Sequence, residues 1–198
     1  MAIQPNIVQG NGGDINASGI GVAPARIYAT NNSETIRSTG SDDQIYAKGG
    51  DDIIYSGHNQ DVINAGDGND FVDAGASRDF VFGGAGNDTL YGNEGNDAVV
   101  GGDDDDIIYG GDGNDGLWGD NSNGSLDGTV GADTFRFDKA DGSDNVFDFA
   151  VGIDAVELTQ GGTYSLTQTA AGHTKLVYGE TTVLFHNALL TADDIGFI

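Results

Sequence analysis

From residue 43 to residue 115 an Asp recurs at every ninth position: Asp43, Asp52, Asp61, Asp70, Asp79, Asp88, Asp97, Asp106 and Asp115. Glycines crowd the stretch before each, and the unit Gly-Gly-x-Gly-x-Asp is complete at 83–88 and again at 110–115. Carboxylates at a fixed interval, interleaved with peptide groups that glycine leaves uncovered, are oxygen donors for a hard cation. Calcium takes six to eight oxygens at about 2.3 to 2.6 Å and tolerates irregular geometry, whereas magnesium demands a tighter octahedron and dehydrates reluctantly. Zinc or copper would want His or Cys; the chain has no Cys and only three His, at 58, 173 and 186, with no partner constellation around them. Calcium, as several ions, is the expected cofactor.

The elements that must hold these carboxylates follow from the residue two places after each Asp. It is Ile45, Ile54, Ile63, Val72, Val81, Leu90, Val99, Ile108 and Leu117 in turn, every one aliphatic. The rhythm reaches back in weaker form to Ile36 after Glu34 and Ile27 after Ala25. A nine-residue period fits no helical heptad, and each interior glycine would cost a helix about 1 kcal/mol relative to Ala. The pattern instead predicts a three-residue strand, its middle side chain inward and its neighbours outward, followed by a six-residue turn. Two units close a coil of 18 residues, so the aliphatics form two facing stacks. One is Ile27, Ile45, Ile63, Val81, Val99 and Leu117; the other is Ile36, Ile54, Val72, Leu90 and Ile108.

The expected fold class is therefore all-β, a right-handed parallel β-roll over residues 25–124. Residues 1–24 are assigned to an N-terminal segment or cap. A small C-terminal β cap is expected over 125–198, with short strands at 134–137, 146–149, 155–158, 163–168, 174–178 and 181–185. In the roll, Asp residues 18 apart share an edge, with turn carbonyls between them. The expected metal ligands are the nine Asp together with the turn residues Gly66, Gly68, Gly84, Gly86, Gly95, Gly102, Asp104, Gly111 and Gly113. Nine turns paired in this way allow at most seven sites, of which roughly four to seven should fill given the oxygens each requires. His58-Asn59-Gln60 and Ala76-Ser77-Arg78 replace the usual loop glycine and are expected to weaken their turns, while Asp103–Asp106 adds carboxylates. Asp133, Asp141, Asp144 and Asp148 are expected to form one further site in the cap.

Charge decides which partners are excluded. Thirty-two acids stand against seven Lys and Arg, a net charge of -25, so nucleic acid and anionic membrane surfaces are repelled and the calcium-free chain resists its own compaction. No apolar stretch has the length of a membrane span, and the N-terminus lacks a basic region followed by an apolar core. Outward positions are unusually apolar: Ile53, Tyr55, Phe71, Asp73, Thr89, Tyr91, Ile107 and Tyr109 on one sheet, and Val62, Phe80, Phe82, Val100 and Trp118 on the other, with few charges among them. Such faces suit self-association or a glycan or protein partner.

Residues 38–120 resemble the RTX (repeats-in-toxin) haemolysin-type calcium-binding nonapeptide, Gly-Gly-x-Gly-x-Asp-x-aliphatic-x, with the units ending at Tyr91 and Trp118 matching throughout. The stretches Gly131–Phe137 and Asp141–Phe149 are similar to the flank that follows RTX repeats in secreted proteases and epimerase modules. The resemblance implies a bacterial protein exported by type I secretion machinery and folded by calcium outside the cell. The ending Asp193-Asp194-Ile195-Gly196-Phe197-Ile198 resembles an uncleaved secretion signal. The His-Glu-x-x-His motif of the RTX proteases is absent, and no Ser/His/Asp arrangement, glycosidase carboxylate pair or phosphate loop stands out. The expected function is a secreted, non-catalytic calcium-binding β-roll with a surface, matrix or interaction role. The alternative is a carbohydrate-binding or C-terminal module of an extracellular polysaccharide-modifying enzyme.

Overall fold

The computed structural model of the chain describes residues 6–17, 24–120 and 131–198. The expected boundary at 124/125 and part of the expected N-terminal cap, residues 1–5 and 18–23, lie outside the described residues. Strands β1 (Asn6–Gln9), β2 (Ile15–Asn16), β3 (Ala25–Tyr28) and β4 (Thr35–Arg37) come first. The repeats supply β5 (Gln44–Gly49), β6 (Ile53–Tyr55), β7 (Val62–Asp67), β8 (Phe71–Ala76), β9 (Phe80–Ala85), β10 (Thr89–Gly95), β11 (Ala98–Asp103), β12 (Ile107–Gly113) and β13 (Gly116–Asp120). There follow β14 (Thr134–Phe137), β15 (Ser143–Val146), β16 (Ala155–Leu158), β17 (Tyr164–Gln168), β18 (Thr174–Tyr178), β19 (Thr181–Phe185) and β20 (Ile195–Phe197).

Successive strands alternate between two sheets as far as β17, after which β18 and β19 stay in the first sheet and β20 joins the second. One runs β1-β3-β5-β7-β9-β11-β13-β15-β19-β18-β17 and the other β2-β4-β6-β8-β10-β12-β14-β16-β20. Through the repeats every pairing is parallel and offset by 18 residues, as in Ile63 opposite Val81 and Leu90 opposite Ile108. The fold is an all-β parallel β-roll, and both aliphatic stacks are in the predicted register with each member fully buried. The stacks are longer than the repeats. Val8 pairs with Ile27 and Ile15 with Ile36 at one end, and Leu117 with Val146 and Ile108 with Phe135 at the other.

Two differences from the sequence reading have plain causes. Many repeat strands hold six or seven residues rather than three, because main-chain pairing continues into the turn, with Gly66 opposite Gly84 and Asp67 opposite Ala85. Side-chain alternation marks only the part of a strand that faces the core. The strand expected at 146–149 spans Ser143–Val146 instead, since Val146 is the inward residue that covers Leu117. Beyond Phe137 the core widens into an aromatic cluster, with Phe149 against Phe135 at 5.9 Å and against Phe185 at 5.2 Å between ring centroids. The antiparallel strands β18 and β17 then close the first sheet.

On the outside, aromatic side chains stack coil upon coil. Tyr91 lies on Tyr109 at 4.6 Å, Tyr55 and Phe71 extend the column, and the guanidiniums of Arg37 and Arg136 stand over Tyr55 and Tyr109 at its two ends. On the other sheet Trp118, Phe147 and His186 stack at 4.6 Å each. These rings cover one another's faces and all but Phe147 are half-buried, so part of the apolar exterior read from the sequence is self-packed, while Ile53 and Phe82 stay exposed.

Because the inward stack alone spans every coil, Leu90→Ala in saturating calcium should lower unfolding stability by about 2–5 kcal/mol. The outward Tyr91→Ser should cost clearly less. Chemical denaturation of both variants checks the ranking, and equal losses would contradict a core confined to the inward column.

Candidate metal sites

Each turn is organised by its Asp. One carboxylate oxygen, Oδ1, accepts the backbone N–H of the Asp 18 residues earlier: Asp70 N–H donates to Asp88 Oδ1, and Asp88 N–H to Asp106 Oδ1, both at 2.8 Å. The same bond joins Asp43 to Asp61, Asp52 to Asp70, Asp61 to Asp79, Asp79 to Asp97 and Asp97 to Asp115 at 2.7–2.8 Å. The nine Asp are therefore brought onto two edges, in two ladders, and all are buried.

The second oxygen, Oδ2, is different. In Asp52, Asp61, Asp70, Asp79, Asp88, Asp97, Asp106 and Asp115 it is buried and has no hydrogen-bond partner. A buried carboxylate oxygen without a donor is costly unless a cation meets it. Burial accordingly pushes these carboxyls far above the usual range: to about 7 in Asp52, Asp61, Asp88 and Asp115, about 8 in Asp79 and about 9 in Asp106. Neighbouring carboxylates of the ladder raise them further, as Asp88 and Asp133 do for Asp106.

Glycine lets the coils approach along the axis. Gly84 has φ of +127°, and a side chain there would overlap the carbonyl oxygen of Gly66 in the coil before. At Gly83 a Cβ would overlap Oδ2 of Asp88. The predicted turn residues Gly66, Gly68, Gly84, Gly86, Gly95, Gly102, Gly111 and Gly113 all have positive φ. So do Lys48, Asn59, Ser77, Asn93 and Asp104, which stand where other turns have glycine. The turns carrying His58-Asn59-Gln60 and Ala76-Ser77-Arg78 thus keep the common backbone path, and Asp61 and Asp79 keep the bare Oδ2. Asp104 points its carboxylate to solvent, with its carbonyl facing Gly131.

Among the described residues no three His, Cys, Asp or Glu side chains converge as a ready cage. A cation here would take its oxygens from one ladder carboxylate or two and from turn carbonyls, which suits calcium and its tolerance of mixed, irregular shells.

A second ladder escaped the sequence reading. Where the residue just before the Asp is Asn or Asp, its side-chain oxygen reaches the next coil: Asn69 Oδ1 accepts from Asn87 N–H at 2.8 Å, Asp51 from Asn69 and Asn96 from Asn114, each at 2.9 Å. Its bonds run opposite to those of the Asp ladder. The signal was present as Asn or Asp at this place in most turns. The four cap residues expected to form one site are separated instead. Asp133 follows Asp106 and Asp144 follows Asp115 on different ladders, Asp141 accepts from Asp138 N–H, and Asp148 accepts from Gly119 and Asp120 N–H.

Comparison with family models matches the RTX calcium-binding nonapeptide repeat (4 copies) at residues 28–58, 59–90 and 91–126. The match stops at 126, so the flank's similarity to proteases and epimerase modules is not part of it. Among solved structures the chain is similar to the extracellular lipase LipA from Serratia marcescens, at 17% identity and a TM-score of 0.42, covering 87% of this chain and 40% of the lipase. The chain thus spans well under half the length of that relative. No curated protein matches.

The raised carboxyls give a pH dependence of known sign. An acid whose folded pKa lies above its unfolded value of about 4 holds its proton more tightly when folded, so its contribution is present at low pH and lost as pH rises through about 6 to 9. In chelator, the chain should gain β structure by circular dichroism when brought from pH 8 to pH 5. No gain on acidification would contradict the charge account of the turns.

Proposed function

Because the chain belongs to the RTX calcium-binding nonapeptide repeat family, matched over half its length, we propose that calcium binding is its folding switch and that it is a secreted, non-catalytic β-roll. The observation that carries this reading is the row of bare, buried Oδ2 atoms. Ligands are the ladder Asp with a bare Oδ2, from Asp52 to Asp115, with main-chain oxygens of Gly66, Gly68, Gly84, Gly86, Gly95, Gly102, Asp104, Gly111 and Gly113 completing the shells, whereas Asp43 has both oxygens occupied from within. Calcium supplies the positive charge that the stacked carboxylates lack. The chain's own part is to preset the turn path by left-handed residues, to hold each carboxylate through Oδ1 and to leave Oδ2 free for the ion. Inside a cell, where free calcium is scarce, such a chain stays open and can be threaded through a type I channel. Outside, the free energy of binding becomes free energy of folding. In this reading the roll has a structural or interaction role at the cell surface.

A second reading, carbohydrate binding, is favoured by one recess of about 290 Å³ on the outer face of the first sheet. Arg78, Asn96, Asn114, Asn145, Trp118 and Phe147 line it, with Asp97 and Asp115 also among the lining residues. An indole beside amides, a guanidinium and carboxylates offers a hydroxylated sugar ring both a flat apolar face and hydrogen-bonding partners.

In chelator at neutral pH the chain should lack β structure and acquire it cooperatively at about 0.1 to 1 mM calcium, the range of extracellular modules, while equal magnesium fails. Circular dichroism decides this, and a folded roll in chelator at pH 7.5 would sink the switch. For the second reading, neutral oligosaccharides on a glycan array in calcium should retain the wild type and lose Trp118→Ala; no retention of the wild type rejects it.

A further inference from the structure

The bare Oδ2 is a criterion that can be applied turn by turn, and it does not stop where the nonapeptides stop. Two residues beyond the family match, Asp133 and Asp144, have it too, and they are 1% and 2% exposed. Their turns reproduce the repeat in shortened form, Gly-x-Asp-x-apolar, as Gly131-Ala132-Asp133-Thr134-Phe135 and Gly142-Ser143-Asp144-Asn145-Val146. Oδ1 of Asp133 accepts from Asp106 N–H and Oδ1 of Asp144 from Asp115 N–H, both at 3.0 Å, so each continues a ladder by one rung.

Main-chain oxygens are presented in the same way as in the repeats. A Cβ on Gly131 would overlap the carbonyl oxygen of Asp104, and one on Gly142, at φ +107°, that of Gly113. A Cβ on Gly119 would overlap Asp133 Oδ2, as one on Gly83 would overlap that of Asp88.

At the opposite end the criterion fails. Asp43 accepts from Ala25 N–H through Oδ1 and from the Ser38 hydroxyl through Oδ2. Glu34 occupies the Asp position one turn earlier and accepts from the Thr30 hydroxyl and, at 3.4 Å, the Thr30 N–H. On the same edge the Lys48 ammonium donates to the Ala29 carbonyl at 2.5 Å, placing a fixed cation among the first turns. A serine alone does not remove the vacancy: the Ser56 hydroxyl donates to the Ala74 carbonyl at 2.5 Å, and Asp61 Oδ2 stays bare. The last rung, Asp154, is also filled from within, its two oxygens accepting from Asp133 and Ala150 N–H.

We infer that Asp133 and Asp144 each close a further oxygen-ligand site for a divalent cation beyond the repeats, and that the turns of Glu34 and Asp43 take no ion. This rests on the reading of the chain as a calcium-binding roll. It shifts the ion-bearing stretch toward the C-terminus, to turns from Asp52 to Asp144, and leaves the first coil held by hydroxyls and an ammonium.

The test is an ion count on the full chain in saturating calcium, by native mass spectrometry with titration calorimetry, with circular dichroism alongside. Asp133→Asn and Asp144→Asn retain an oxygen for the ladder bond and remove the charge; each should bind at least one calcium fewer than wild type while keeping its β signal. Asp43→Asn should bind the wild-type number. If a variant loses its β signal, calcium-dependent luminescence of bound terbium in the wild type, displaced in as many steps as there are sites, supplies the count against which the map from Asp52 to Asp144 stands or falls. Full counts in both Asp133→Asn and Asp144→Asn, or a lost ion in Asp43→Asn, overturn the inference while leaving the calcium-driven roll intact. A wild type that takes up no calcium overturns the function itself.

Discussion

Like charge stacked at the rise of a β-sheet is the constraint on which this molecule turns. Carboxylates repeat along each edge at every coil, about 4.8 Å apart, and from Asp52 to Asp144 the ladder members are buried with one oxygen held and one bare. Little else is available to oppose their repulsion. Each nonapeptide buries one aliphatic, worth about 1.5–3 kcal/mol, whereas ordering each of its nine residues costs the backbone about 1–2 kcal/mol. Main-chain pairing between coils helps, but hydrogen bonds exchanged with water contribute modestly. In the proposed function, a cation at the bare oxygens offsets this repulsion, so that folding and binding become one event.

The same constraint explains the composition. Left-handed turns with carbonyls pressed against the next coil require glycine, and the few substitutes, Lys48, Asn59, Ser77, Asn93 and Asp104, keep the path at a local cost. Asx side chains before most of the Asp hold the turns from the other direction, so many rungs are tied both to the coil before and to the coil after. Most outer aromatics stack on one another, and four of the seven basic residues, Arg37, Arg78, Arg136 and Lys139, lie over rings. Among the described residues the one ion pair is Arg136 with Glu157.

Much of this was legible in the sequence because the roll is nearly one-dimensional. An aliphatic two places after each Asp fixes which residues stack, and Ile27 through Leu117 lie where that count puts them. The flank was harder to read. Asp133, Asp144 and Asp154 are separated by 11 and 10 residues, which breaks the nine-residue count, and Phe135 stands where the repeats have an aliphatic. The direction of each carboxylate was also hidden, since residue type does not say that Oδ1 bonds to the preceding coil. Nor does it say that Ser38 turns toward Asp43 while Ser56 turns toward the Ala74 carbonyl. Those choices depend on where neighbouring donors fall once the coils are stacked.

The central claim, that a cation at the bare oxygens assembles the ladders, is tested most directly at the bonds the ladders are made of. The backbone N–H groups of Asp70, Asp88 and Asp97 donate to Asp88, Asp106 and Asp115. Their hydrogen exchange, followed residue by residue at pH 7.5 across a calcium titration, should be unprotected in chelator and become protected together over one narrow range of calcium. Protection of these amides in chelator, or a slow exchange that ignores calcium, would contradict the account.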